Sequence, residues 1–111
     1  MSVLPGPQFV LLPEAIEGEL IGSYNSVINQ QIAHGVQIHI NDAINHYQLA
    51  SKFLANNDFI NWAFNRFSGD FNASAAIYEM YRITDESLKT STLNSITQQL
   101  NSYSPFFVAI P

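Results

Sequence analysis

The chain contains no cysteine. That excludes disulfides, thiolate metal sites and cysteine nucleophiles from its chemistry. Basic side chains are nearly absent as well: Lys52, Arg66, Arg82 and Lys89 are the whole complement, and the net charge is −5. Binding to nucleic acid by phosphate neutralisation needs a basic footprint, which this sequence lacks. Anionic membrane surfaces are disfavoured for the same reason. Charge of either sign is scarce, 12% of residues against about 25% in ordinary soluble domains. Asn, Gln, Ser and Thr take the missing places. A surface of uncharged amides and hydroxyls gives little protection against self-association, so burial against further copies or a partner is expected. No apolar run approaches the 18 residues of a membrane-spanning helix. The start, Met1-Ser2-Val3-Leu4-Pro5-Gly6-Pro7, has no positive region and reads as no signal peptide, so a cytoplasmic or virion-associated location is expected.

What is present reads as helix. The apolar fraction of 47% is enough for one core, and the length suits one domain, residues 1–111. The expected fold is all-α, a small bundle of four to five helices between short extended, proline-bounded arms at 1–13 and 104–111. Pro5, Pro7 and Pro13 bracket Phe9-Val10-Leu11-Leu12, and Pro105 and Pro111 bracket Phe106-Phe107-Val108-Ala109-Ile110. Prolines oppose helix in both places. Apolar arms left in water forgo about 1.5–3 kcal/mol per large side chain, so both are expected to dock, on their own body or on another subunit.

The body is organised around Pro13–Asn57, which has no further proline. Ile16, Leu20, Tyr24 and Val27 recur at intervals of four, four and three, with Ile21, Ile28 and Ile32 widening the stripe. An unbroken helix here would be a rod of roughly 65 Å, whereas a compact domain of this length has a radius of gyration of about 13 Å. Either the run folds back or the protein is not a simple compact monomer. Val36, Ile38 and Ile40 alternate with Gln37 and His39, which supports a bend at Gly35. Beyond it, Ile40, Ile44, Tyr47 and Leu54 share one side, with Leu49 and Phe53 opposite. A helix apolar on two faces is expected to sit at an interface or in the middle of a bundle.

Asn56-Asn57-Asp58 reads as a stop and a new cap. A helix over Asp58–Phe67 would put Phe59, Ile60, Ala63, Phe64 and Phe67 on its apolar face, with Trp62 on the other face near Arg66. Ser68-Gly69-Asp70 is a turn signal. A helix from about Phe71 to Ile83 follows, with Ala73, Ala76, Ile77 and Met80 as its stripe. Thr84 reads as the cap of a last helix, which carries Leu88, Leu93, Ile96, Leu100 and Tyr103 on one face.

Little catalytic chemistry is legible. His39, Asp42 and His46 fall at i, i+3 and i+7, within about 60° of arc on a helix. As candidate metal ligands they would need a further donor, for which Asp58, Asp70 and Glu79 are available. A structural ion pair or a solvated flank explains the trio more cheaply. There is no nucleophile elbow, phosphate-cradling loop or H-E-x-x-H, and no cofactor is expected. Trp62-Ala63-Phe64 and Tyr81-Arg82-Ile83-Thr84-Asp85 are similar to the W-x-G turn and Y-x-x-x-D/E signal of helical-hairpin substrates of Gram-positive secretion systems. The first lacks the glycine, and the arms and the further helix have no counterpart there, so the chain is not assigned to that family. The expectation is a non-enzymatic, self-assembling or partner-bound protein, such as a virion, filament or secreted-assembly component. A small adaptor, chaperone or inhibitor of a different protein is the alternative, and a metal- or histidine-dependent enzyme the third. Candidate interface residues are Phe9, Leu11, Leu49, Phe53, Trp62, Phe106 and Phe107.

Overall fold

The computed structural model describes residues 14–103, and these are all-helical. Three helices are present where four to five were expected: α1 (Glu14–Ala55), α2 (Phe59–Met80) and α3 (Glu86–Leu100). The predicted arms, with Phe9, Leu11, Phe106 and Phe107, lie outside the described residues.

Two predicted interruptions are not there. α1 runs straight through Gly35 for 42 residues. A glycine in a helix interior withdraws only about 1 kcal/mol relative to alanine. Around it Ile32, Val36 and Ile40 are buried, each worth about 1.5–3 kcal/mol, so packing carries the helix across. The alternation read as a change of period was an alias. Val36 and Ile40 are buried one turn apart, while Ile38 between them is exposed. Likewise α2 passes through Ser68-Gly69-Asp70 without a turn. Gly69 is buried there because it faces Tyr47.

The real turn is Asn56–Asp58. The Asn57 amide donates to the Leu54 carbonyl at 3.1 Å and the Asp58 amide to Phe53 at 2.9 Å. With Asn57 at φ 59°, this is the left-handed helix stop in which an Asn can replace Gly. Asp58 then caps α2, its carboxylate accepting from the Asn61 amide at 3.2 Å. α3 is capped by Asp85, which accepts from the Leu88 amide at 3.0 Å. The predicted cap, Thr84, lies one residue earlier. Its amide donates to Asn29 Oδ1 at 3.0 Å, and its hydroxyl receives Asn29 Nδ2 at 3.1 Å.

α2 returns antiparallel along α1: His46 meets Asn65 near the start of α2, and Asn29, far earlier on α1, meets Thr84 just past its end. α3 then runs back beside α1, with Gln37 facing Gln99 and Gln48 facing Tyr103. The seam on α1 is Asn29, Ile32, Val36, Ile40, Ala43, Tyr47 and Ala50. Its intervals of three and four residues are those of long helices packed side by side. The facing seam on α2 is Asn65, Gly69, Ala73, Ala76 and Met80. Ile83, Ile96 and Leu100 complete the core. The result is long and thin, 72 × 29 × 14 Å, with a radius of gyration of 20.9 Å.

Candidate interaction surface

Burial on α2 is inverted by size. Four of its five buried residues are Asn, Gly or Ala, while most of its large apolar side chains, Met80 and Trp62 apart, point outward. Ile60 is 84% exposed, Phe64 65%, Phe67 72%, Phe71 75% and Tyr78 80%. At 100° per residue these five fall within about 60° of arc, opposite the seam against α1. They recur at intervals of four, three, four and seven, with exposed Ser74 filling the gap. That is the repeat of a second helix-packing seam, one with no partner among the described residues. The outer stripe carries no charged side chain; the charged residues of α2 are Arg66, Asp70 and Glu79.

Behind the stripe the hairpin is locked at one level. Tyr47 is buried, and its hydroxyl donates to Asp70 Oδ1. The Arg66 guanidinium lies over the Tyr47 ring at 5.1 Å and sits 3.8 Å from Asp70. Tyr103 stacks on Tyr47 with centroids 6.4 Å apart, and its carbonyl accepts from Arg66 Nη1 at 3.2 Å. Gly69 leaves room for the ring on the α2 side. At this level the approach of α2 to the Tyr47 ring therefore depends on Gly69 having no side chain.

A second exposed apolar region occupies the start of α1. Residues 14–27 are all exposed, among them Ile16, Leu20, Ile21, Tyr24 and Val27. This end of α1 projects past the α2–α3 connection, which Asn29 holds.

The predicted interface residues inside the described region are placed unevenly. Leu49 is exposed on the outer side of α1, and Phe53 and Trp62 are half-buried. Trp62 is not part of the outer stripe; it falls on the seam side of α2. Phe59, Ile60, Phe64 and Phe67, read as one apolar face, are exposed. With Phe71 and Tyr78 they are exposed residues that sequence reasoning did not count as interface. The signal was present as a four-three-four spacing continuing through Gly69. Reading a turn at Ser68-Gly69-Asp70 cut it in two.

The histidine trio stays dispersed. His46 Nδ1 is 3.0 Å from Asn65 Oδ1. Because Asn65 Nδ2 donates to the Asn61 carbonyl, its Oδ1 is left facing His46 Nδ1 as the acceptor. Asp42 is exposed, and His39 Nδ1 is buried with no hydrogen-bond partner. The further donors considered are engaged elsewhere: Asp58 caps α2, Asp70 holds Tyr47, and Glu79 pairs with Arg82 at 3.0 Å. No group of three His, Asp or Glu able to hold a metal ion exists among the described residues. No helix among them is long and apolar enough to cross a membrane.

Comparison with protein-family models, with curated proteins and with solved structures finds no match. The functional reading therefore rests on the geometry of the chain itself.

Proposed function

We propose that the protein is a non-enzymatic assembly component that associates with further copies of itself through the outer face of α2. The observation that carries this reading is the charge-free stripe of Ile60, Phe64, Phe67, Phe71 and Tyr78, each at least 65% exposed. An aromatic side chain buries 150–250 Å² when covered. At these exposures the stripe offers roughly 500–700 Å² per copy, or about 1,000–1,400 Å² in a pair, which is within reach of a specific interface. An exposed apolar patch of this size on a soluble chain marks an interaction site.

The shape points the same way, with a radius of gyration of 20.9 Å against about 13 Å for a compact domain. The low charge adds to this, because little repulsion opposes approach of a second copy.

Sedimentation at high micromolar concentration tests the reading. Wild type is expected to associate, and Phe67→Ser to shift toward monomer with unchanged far-UV circular dichroism, since Phe67 contributes little to the fold of its own chain. A wild type that stays monomeric at every concentration refutes self-assembly. If the monomer instead captures one defined foreign protein, and Phe67→Ser abolishes that capture, the adaptor reading replaces it.

A further inference from the structure

We infer that two copies pair through α2 in antiparallel orientation, about a two-fold axis at the level of Gly69. The inference rests on the self-assembly reading above and adds its symmetry and register.

The spacing of the stripe is symmetric. Ile60, Phe64, Phe67, Phe71, Ser74 and Tyr78 are separated by four, three, four, three and four residues, a series that reads the same in both directions. Turned end over end about Gly69, the stripe falls on itself. Phe67 then lies opposite Phe71 of the second copy, Phe64 opposite Ser74, and Ile60 opposite Tyr78. Each layer occurs twice, as an isologous interface requires. The sizes fit as well. A large ring meets the one small residue of the stripe, and two phenylalanines meet each other at the centre.

The alternatives fit worse. Parallel pairing sets Ser74 against Ser74, which leaves a void, and puts two rings into each of four layers, at Phe64, Phe67, Phe71 and Tyr78, where the antiparallel register does so in only two. Antiparallel registers displaced by seven residues leave two of the six positions without a partner. The register centred on Gly69 engages all six. It uses the whole exposed area of the stripe, which the threshold for a stable interface demands. Because the stripe lies opposite the seam with α1, the four long helices of such a pair would lie side by side as one thin layer.

The absence of cysteine makes the test direct, since introduced thiols are the only ones. One chain carries Ser74→Cys and a second carries Phe64→Cys, and the two are mixed, equilibrated and oxidised. A cross-linked dimer is expected from the mixture and from neither chain alone. In the proposed register, two copies of Cys at position 74 stand about 15 Å apart along the axis, beyond the roughly 7 Å that a disulfide spans between Cα atoms. Loss of the Phe64 ring weakens the interface, so a nitroxide on Ser74→Cys in an otherwise native chain gives a second reading. The expected distance between labels is at least about 15 Å. Wild-type association with self-cross-linking of Ser74→Cys, or with a shorter label distance, overturns the antiparallel register and leaves self-assembly standing. Association with no cross-link from the mixture and no label pair within measurable range moves the interface off this stripe. A monomeric wild type, its stripe covered by the chain's own ends or by another protein, removes both readings together.

Discussion

Gly69→Ala should destabilise the fold, although the same change at Gly35 should stabilise it. Both glycines lie in helix interiors, where alanine is favoured by about 1 kcal/mol. At Gly35 an added Cβ meets nothing within 4 Å, so the helix gain of about 0.5–1 kcal/mol should be realised in full. At Gly69 the same methyl would stand 2.6 Å from Cε1 of Tyr47, 2.7 Å from Cδ1 and 3.0 Å from Cζ. Carbon atoms rest at about 3.5–4.0 Å, so the ring has to retreat by about 1 Å. It is poorly placed to do so, being hydrogen-bonded to Asp70, stacked on Tyr103 and covered by Arg66. Inserting a methyl into a packed site of this kind costs about 1–3 kcal/mol. Less the helix gain, Gly69→Ala should lose about 1–2 kcal/mol, so the two substitutions should differ by roughly 2 kcal/mol. Urea denaturation followed by circular dichroism measures this, at one fixed protein concentration because association shifts apparent stability. With a slope near 1 kcal/mol per molar, the two midpoints should lie about 2 M apart. Tyr47→Leu should remove most of the Gly69→Ala penalty in a double-mutant cycle, because the clash is with the ring. A Gly69→Ala protein as stable as wild type would refute the packing account of Gly69.

Asn29→Ala removes the side chain that both donates to and accepts from Thr84. It should cost about 1–3 kcal/mol in the same assay, because the Thr84 amide loses its partner in a part-buried site. His46→Ala leaves the buried Asn65 carbonyl without its donor and should cost about 1 kcal/mol. Millimolar zinc should leave the thermal midpoint unchanged in both wild type and this variant, and a rise confined to wild type would establish a metal site at His46. Amide exchange should be much faster for residues 14–27 than for residues 32–50 in the monomer. Every residue of the first segment is exposed, and a free helix of that length is marginal in water.

The class and three of the helix boundaries were legible. Asn56-Asn57-Asp58 carries its stop and its cap in adjacent residues, and the last helix shows its buried face, Ile96 and Leu100, at the predicted spacing. Continuity was not legible. Gly35 and Gly69 look alike as letters, yet one is tolerated by the packing around it and the other is required by a ring 22 residues earlier in the chain. Only the tertiary pairing of α1 with α2 distinguishes them. The same limit applies to the outer stripe. Hydrophobicity alone assigns Phe64 and Phe67 to the core and gives no reason to prefer Asn65 and Gly69. Depth in this hairpin is decided by size, because a close approach of two helices needs small residues on one of them. With α1 supplying Ile40 and Tyr47, α2 has to supply Gly69, Ala73 and Ala76.

That size inversion bears on why the long helix does not fold back. A compact monomer needs its largest side chains inside, and here five of the exposed residues of α2 are aromatic. Folding α1 back at Gly35 would break a seam in which Ile32, Val36 and Ile40 sit on consecutive turns, each buried. It would also detach Asn29 from Thr84 and with it the entry to α3. The rod is therefore held by its own packing, and the apolar surface that a rod leaves uncovered has to be satisfied elsewhere. A second copy meeting the stripe of α2 end over end satisfies it without any change in the hairpin. The residues that make the fold, on the inner face of α2, and those assigned to assembly, on its outer face, are then separate sets. Substitutions on one face should leave the other's measurements unmoved.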